Sequence, residues 1–169
     1  MRLLISAFAV LLLSACGSPS NTSATVAGTD AAPSLAVGKT GQASGVEITV
    51  TSVKQTNQVT APSLVPLAGT DETYVLVKYT IKNTGKTPME LLNRPAIDLL
   101  DAKGQVYAKD EMATGATGAM QNAQGMVNDI NPGVSAKTLA VWKVAKQGFD
   151  MGTWKIVVQT DPALEFKLK

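Results

Sequence analysis

The chain has 169 residues, with 15 basic against 13 acidic side chains, a single cysteine and no histidine. The missing histidine excludes Ser-His-Asp and Cys-His nucleophilic pairs and the usual His-rich zinc or type-1 copper sites. Near-neutral charge with no basic cluster leaves no electrostatic footprint for nucleic acid.

Met1 and Arg2 open the chain, and residues 3–13 are apolar apart from Ser6. A charged start, a short apolar run and small residues before a cleavage point make a secretory signal. The run falls well short of the ~20 residues that a membrane-spanning helix needs. Leu13, Ser14 and Ala15 directly before Cys16 resemble the lipobox of bacterial lipoproteins. That resemblance implies cleavage before Cys16, diacylglycerol on its thiol and a further acyl chain on its amine, with no other cofactor. Each buried methylene adds ~0.8 kcal/mol, so two or three chains make a durable membrane anchor. Removing residues 1–15 takes Arg2 with it and leaves 14 basic against 13 acidic residues. With Cys16 lipidated, no disulfide is available, so stability must come from a packed core.

Residues 16–36 are the lipidated Cys and a disordered linker, small and polar, with Asp30 as the only charge. Such a segment has too little apolar surface to offset its ordering entropy. A flexible coil of ~20 residues would hold the domain roughly 25 Å from the membrane.

Residues 37–169 read as one folded domain built of strands. Val46, Ile48 and Val50 alternate with polar residues and continue into Val53. Residues 73–82 alternate most clearly: Val75, Val77, Tyr79 and Ile81 face one way, and Tyr74, Leu76, Lys78 and Thr80 the other. Asn83-Thr84-Gly85-Lys86 is a turn. Residues 89–92 and 96–100 read as short strands separated by Asn93-Arg94-Pro95, and Asp101-Ala102-Lys103-Gly104 as a hairpin turn into residues 105–108. Residues 112–128 carry no charge and are mostly Ala, Gly, Thr, Gln and Met; the glycines argue against a helix, so a long loop is expected. Asn131-Pro132-Gly133 closes it, and three strands follow over 135–144, 153–160 and 164–169. The expectation is an all-β, immunoglobulin-like β-sandwich of about seven or eight strands.

Several blocks together resemble a known family: Val37-Gly38, the alternation from Val46 to Val53, Tyr74 to Val77, and Ile81-Lys82-Asn83-Thr84-Gly85-Lys86. Leu99, Asp101, Gly104 and Tyr107, followed by Asn131-Pro132-Gly133, complete the pattern. They are similar to the family catalogued as domain of unknown function 4352, found in bacterial secreted proteins and lipoproteins. The resemblance implies an immunoglobulin-like fold, similar to a mycobacterial secreted immunogenic protein, and an extracytoplasmic address. It implies no catalytic residue.

Candidate sites are few. Gly38-Lys39-Thr40 looks like the end of a phosphate loop, but Pro33 stands where its first glycine belongs and no strand precedes it. Met112, Met120 and Met126 are soft thioethers on one segment, and methionines alone can hold copper(I). Asp101 and Asp110 flank the hairpin and the long segment and are candidate calcium ligands, although turn stabilisation accounts for Asp101. Trp142 and Trp154 on adjacent strands suit core packing better than an exposed carbohydrate platform.

The functional expectation is a non-enzymatic module, held to the membrane by its lipid and contacting another envelope protein through edge strands and residues 115–125. The alternative is an envelope ligand-binding protein for a metal ion or small molecule. Gly17 rather than Asp after Cys16 resembles the sorting pattern of outer-membrane lipoproteins in two-membrane bacteria.

Overall fold

The computed structural model describes residues 34–126 and 128–169. The expected signal, the lipobox residues Leu13, Ser14 and Ala15, Cys16 and most of the linker lie outside the described residues.

Eight strands form two four-stranded antiparallel sheets. The first sheet contains β1 (Thr40–Ala43), β2 (Val46–Thr56), β3 (Glu72–Asn83) and β6 (Ser135–Ala145), in the order β1-β2-β3-β6. The second contains β4 (Ile97–Leu100), β5 (Val106–Tyr107), β7 (Lys155–Val158) and β8 (Leu164–Lys167), in the order β5-β4-β7-β8. The all-β sandwich read from period-two alternation is the fold observed.

Alternation explains the inner core. Val46, Ile48 and Val50 of β2 meet Val75, Val77 and Ile81 of β3 on the face turned toward the second sheet. Leu99, Ile156 and Phe166 answer from that sheet, with Trp142 fully buried among them. Trp154 closes one end, its ring 4.6 Å from Tyr107 and 5.0 Å, edge-on, from Phe149. Both tryptophans are therefore core residues.

Within the sheets and their connections, two segments differ from the sequence expectation. Residues 89–92 are not a strand: Met89 makes a single bridge to Ile130, and Leu91–Asn93 form a 3-10 turn closed by Asn93 N donating to Glu90 O. Met, Glu and Leu are helix formers as readily as strand formers, so a four-residue apolar run cannot decide between them. In its place, Thr40–Ala43, read as the entry from the linker, is strand β1. Its buried positions are only Gly41 and Ala43, which carry almost no hydrophobic signal. Small size is required there, because a Cβ on Gly41 would lie 2.7 Å from the Leu35 side chain.

Leu35 itself is bound on both sides to β8: its N–H donates to Glu165 O and its carbonyl accepts from Lys167 N, each at 2.8 Å. Leu35 thus pairs with the second sheet, although composition placed it in the linker.

Candidate functional site

Outside the sandwich, the first sheet carries a second layer on its outer face. Tyr74 and Leu76 of β3, with Leu139 and Val141 of β6, are buried there against Val65, Ala113 and Ala123. Over residues 73–77 the alternation in β3 therefore marks two buried faces, while Lys78 beyond them is exposed. The cover comes from residues 57–70 and from α1 (Glu111–Met120), a helix where a loop was expected.

Its formation has identifiable causes. Asp110 caps the N-terminus, its Oδ1 accepting from Ala113 N at 2.9 Å. Gly115 and Gly118 cost ~1 kcal/mol each as helix residues. Burial of Ala113, Thr114, Thr117 and Gly118 against the sheet offsets that cost. These four recur at the spacing of a helical face, which is the signal in the sequence that composition obscured.

The helix also blunts a sheet edge. β6 is the outermost strand of its sheet, so one row of its backbone groups lacks a strand partner. Asp110 N donates to Val141 O at 2.8 Å, and Val141 N donates to Thr114 Oγ1 at 3.0 Å. Close approach depends on the glycines: a Cβ on Gly118 would lie 2.1 Å from Met126 Sδ, and one on Gly125 2.8 Å from Lys137 O. Asp110→Ala should cost about 1 kcal/mol in urea unfolding. It should also speed hydrogen exchange at Val141 N; unchanged exchange there would show that the edge is protected without the cap.

Beside the helix lies a groove of about 390 Å³ between residues 91–97 and α1. Leu91, Leu92 and Met126 line it, with Tyr79, Thr138 and Arg94. Burial raises the Tyr79 hydroxyl above the ordinary tyrosine value, opposed by its hydrogen bond with Thr138. Burial likewise lowers the Arg94 guanidinium below the usual arginine value, opposed by Tyr79 and Asp129. A second cleft, about 570 Å³, opens at one end of the sandwich beside Ser44, Asn83, Met89 and Asp161. Its polar groups are largely committed to the protein: Asn83 makes three side-chain hydrogen bonds, and Ser44 Oγ bonds both the N–H and the carbonyl of Asp161.

The expected site residues are not brought together. Met112 and Met120 stand near opposite ends of α1, eight residues and hence about 12 Å apart along the axis, and both are exposed. Met126 packs instead against Gly118. Asp101 Oδ1 accepts from Lys103 N at 2.8 Å and Gln105 N at 2.9 Å, so it holds its hairpin turn. Asp110 is the helix cap just described. Among the described residues no group of three or more His, Cys, Asp or Glu side chains is placed to hold a metal ion. No helix among them is long and apolar enough to cross a membrane.

What sequence reading missed is the Leu91-Leu92-Asn93-Arg94 turn. Nothing in a short Leu-Leu run says whether it is buried, and here Leu92 is 93% exposed.

A family model described as domain of unknown function DUF4352 matches residues 35–151. The chain belongs to this family. The match begins at Leu35, the residue paired with β8, and includes both β3 and α1. The uncharacterized protein YxkC of Bacillus subtilis (strain 168) is 30% identical over 133 residues, covering 78% of this chain and 74% of that one. Among solved structures, a conserved hypothetical protein from Bacillus anthracis superposes with a TM-score of 0.66 at 23% identity, covering 78% of this chain and 94% of the other. An uncharacterized β-sandwich protein from Clostridium difficile 630 gives 0.53 at 16% identity, covering 81% and 95%. These likenesses agree on the sandwich and carry no activity with them.

Proposed function

We propose that this DUF4352 protein is a non-enzymatic lipoprotein, anchored through Cys16 in the bacterial envelope, that acts by contacting another envelope protein. Its host membrane, where there are two, is the outer one.

The observation that carries the reading is the character of the covering layer. Leu64 and Leu67 on residues 57–70, Leu91 and Leu92 beside the groove, and Met112 and Met120 on α1 are all large, apolar and about half or more exposed. Scattered apolar residues on a surface need no explanation, whereas several on segments that already pack over a sheet suit a partner interface. Leucine and methionine there, rather than convergent acid, base and nucleophile, favour recognition over catalysis. The lipobox supplies the address.

The alternative of an envelope ligand-binding protein for copper(I), calcium or a small molecule has less behind it. The thioethers lie too far apart along α1 to meet at one ion, and Asp101 and Asp110 are engaged in backbone caps.

Crosslinking in intact cells, followed by affinity purification and mass spectrometry, tests the interaction reading, with Cys16→Ser as the unanchored control. One envelope protein should be recovered near stoichiometrically with the anchored chain. Leu92→Ser should weaken its capture ~10-fold, the scale of burying one apolar side chain, while changing stability by less than ~0.5 kcal/mol. Recovery of abundant envelope proteins alone, unchanged by Leu92→Ser, would overturn it.

A further inference from the structure

Arg94 is the single arginine among the described residues, and its setting is unusual for a surface cation. One Nη donates to the Asn128 carbonyl, while Nε is buried with no hydrogen-bond partner. None of the ion pairs among the described residues includes Arg94. Asp129 attracts it without coming within ion-pair distance. The other charges lining the groove, Lys109 and Glu111, are 3.2 Å apart and offset one another.

The groove therefore carries one positive charge without an ion-pair partner among the described residues, in a lining that mixes Leu91, Leu92 and Met126 with Thr114 and Thr138. The buried Nε is out of reach of an occupant, so what the groove offers is the positive charge of a half-buried guanidinium that no carboxylate among the described residues pairs with. A carboxylate fits best, since its two oxygens match the planar fork of N–H groups. The rim decides what bears that carboxylate. Leu91 is 45% and Leu92 93% exposed, so an occupant that buries both must extend beyond the cavity. A polypeptide does so, and a small acid does not.

Building on the interaction reading above, we propose that the groove between residues 91–97 and α1 binds a protein segment in which a carboxylate side chain lies beside apolar residues. Arg94 receives the carboxylate, and Leu91, Leu92 and Met126 receive the neighbouring side chains. Arginine is among the residues enriched at interface hot spots, and the leucines beside it offer apolar area that an occupant can bury.

The test uses the purified full chain on two immobilised pentapeptide libraries, acetylated and amidated. One has glutamate flanked by Leu, Ile, Val or Phe; its copy has glutamine in the glutamate position. The glutamate library should retain at least ten-fold more protein, Arg94→Gln should abolish that difference, and Arg94→Lys should restore part of it. Leu92→Ser, fully exposed and so harmless to folding, should lower retention. Equal retention by the two libraries, or a preference that survives Arg94→Gln, overturns the proposal. If the partner captured in cells is still captured with Arg94→Gln, the interaction reading stands and this groove is excluded as its seat. If no partner is captured yet the Arg94-dependent preference is found, the groove assignment stands alone.

Discussion

Trp142→Ala is expected to destabilise the domain by about 3–5 kcal/mol, enough to leave up to about half of it unfolded if its total stability is ~5 kcal/mol, the low end of the ordinary range. Trp142 lies in β6, pairs with Val75 and is fully buried between the sheets. Its removal opens a void bounded by residues of both sheets, which cannot close without bending strands held in their sheets by hydrogen bonds. For a domain of this size the melting temperature should fall by roughly 12–20 °C. The indole Nε1 is buried without a hydrogen-bond partner, so the ring contributes by packing rather than by polar contact. Trp142→Phe removes that desolvated donor along with part of the volume, and should cost only about 1–2 kcal/mol. Calorimetry of the two variants checks both numbers. A phenylalanine variant as unstable as the alanine one would mean that the indole N–H has a partner in solution, such as a buried water.

Asn83→Ala should cost about 3 kcal/mol, although it deletes only a small polar side chain. Asn83 is buried at the end of β3, where its Nδ2 donates to Thr87 O at 2.8 Å and to Ile130 O at 2.7 Å. Its Oδ1 accepts from Gly85 N at 2.8 Å. One amide thus joins the 84–89 turn to the segment that bridges Met89 with Ile130. Truncation strands two carbonyls and an N–H, each costing about 1–3 kcal/mol where water cannot replace the lost partner. Asn83→Asp separates shape from chemistry. The introduced carboxyl has nearly the same size but faces two carbonyls, and only its protonated form can donate to one of them. Its folded pKa is then raised above the unfolded ~3.9, so the variant is most stable in acid and loses stability as pH rises through and beyond 4. Urea midpoints of the aspartate variant from pH 3.5 to 7 test the sign. A flat profile parallel to wild type would show that the side chain does not face those carbonyls.

The Asn83 result bears on what could be read in advance. The Ile81–Lys86 block is one of those that carry the family resemblance, and in sequence it reads simply as the end of a strand followed by a turn. Its asparagine is a cross-link between chain segments 47 residues apart. The turn is a local property of Asn and Gly, whereas the cross-link depends on where Ile130 comes to rest. Residues 111–120 show the same division. Asp110 and the small residues at 113, 114, 117 and 118 were in plain view, but glycine-rich composition outweighed them. A helix with so little intrinsic preference forms because a sheet face and an open strand edge are waiting for it.

The candidate site was less legible than the fold. Met112, Met120 and Met126 are close in sequence and were candidates for that reason; a helix rise of ~1.5 Å per residue separates the first two. Arg94, Leu91 and Leu92 gave no sign, because exposure of a leucine and desolvation of an arginine are properties of the neighbours that pack around them.

By itself the sequence determined most of the strand segments, their two-faced alternation and the lipobox expectation at Cys16. Each of these depends on residues adjacent in the chain: period-two alternation, turn chemistry and a short contiguous motif. Only the tertiary structure decided that the first half of β3 is buried on both faces, that α1 forms and covers the β6 edge, and that, among the described residues, Arg94 stands without an ion-pair partner in the groove beside α1. Those outcomes turn on contacts between residues far apart in sequence, whose free energy outweighs local preference at glycine-rich and short apolar segments.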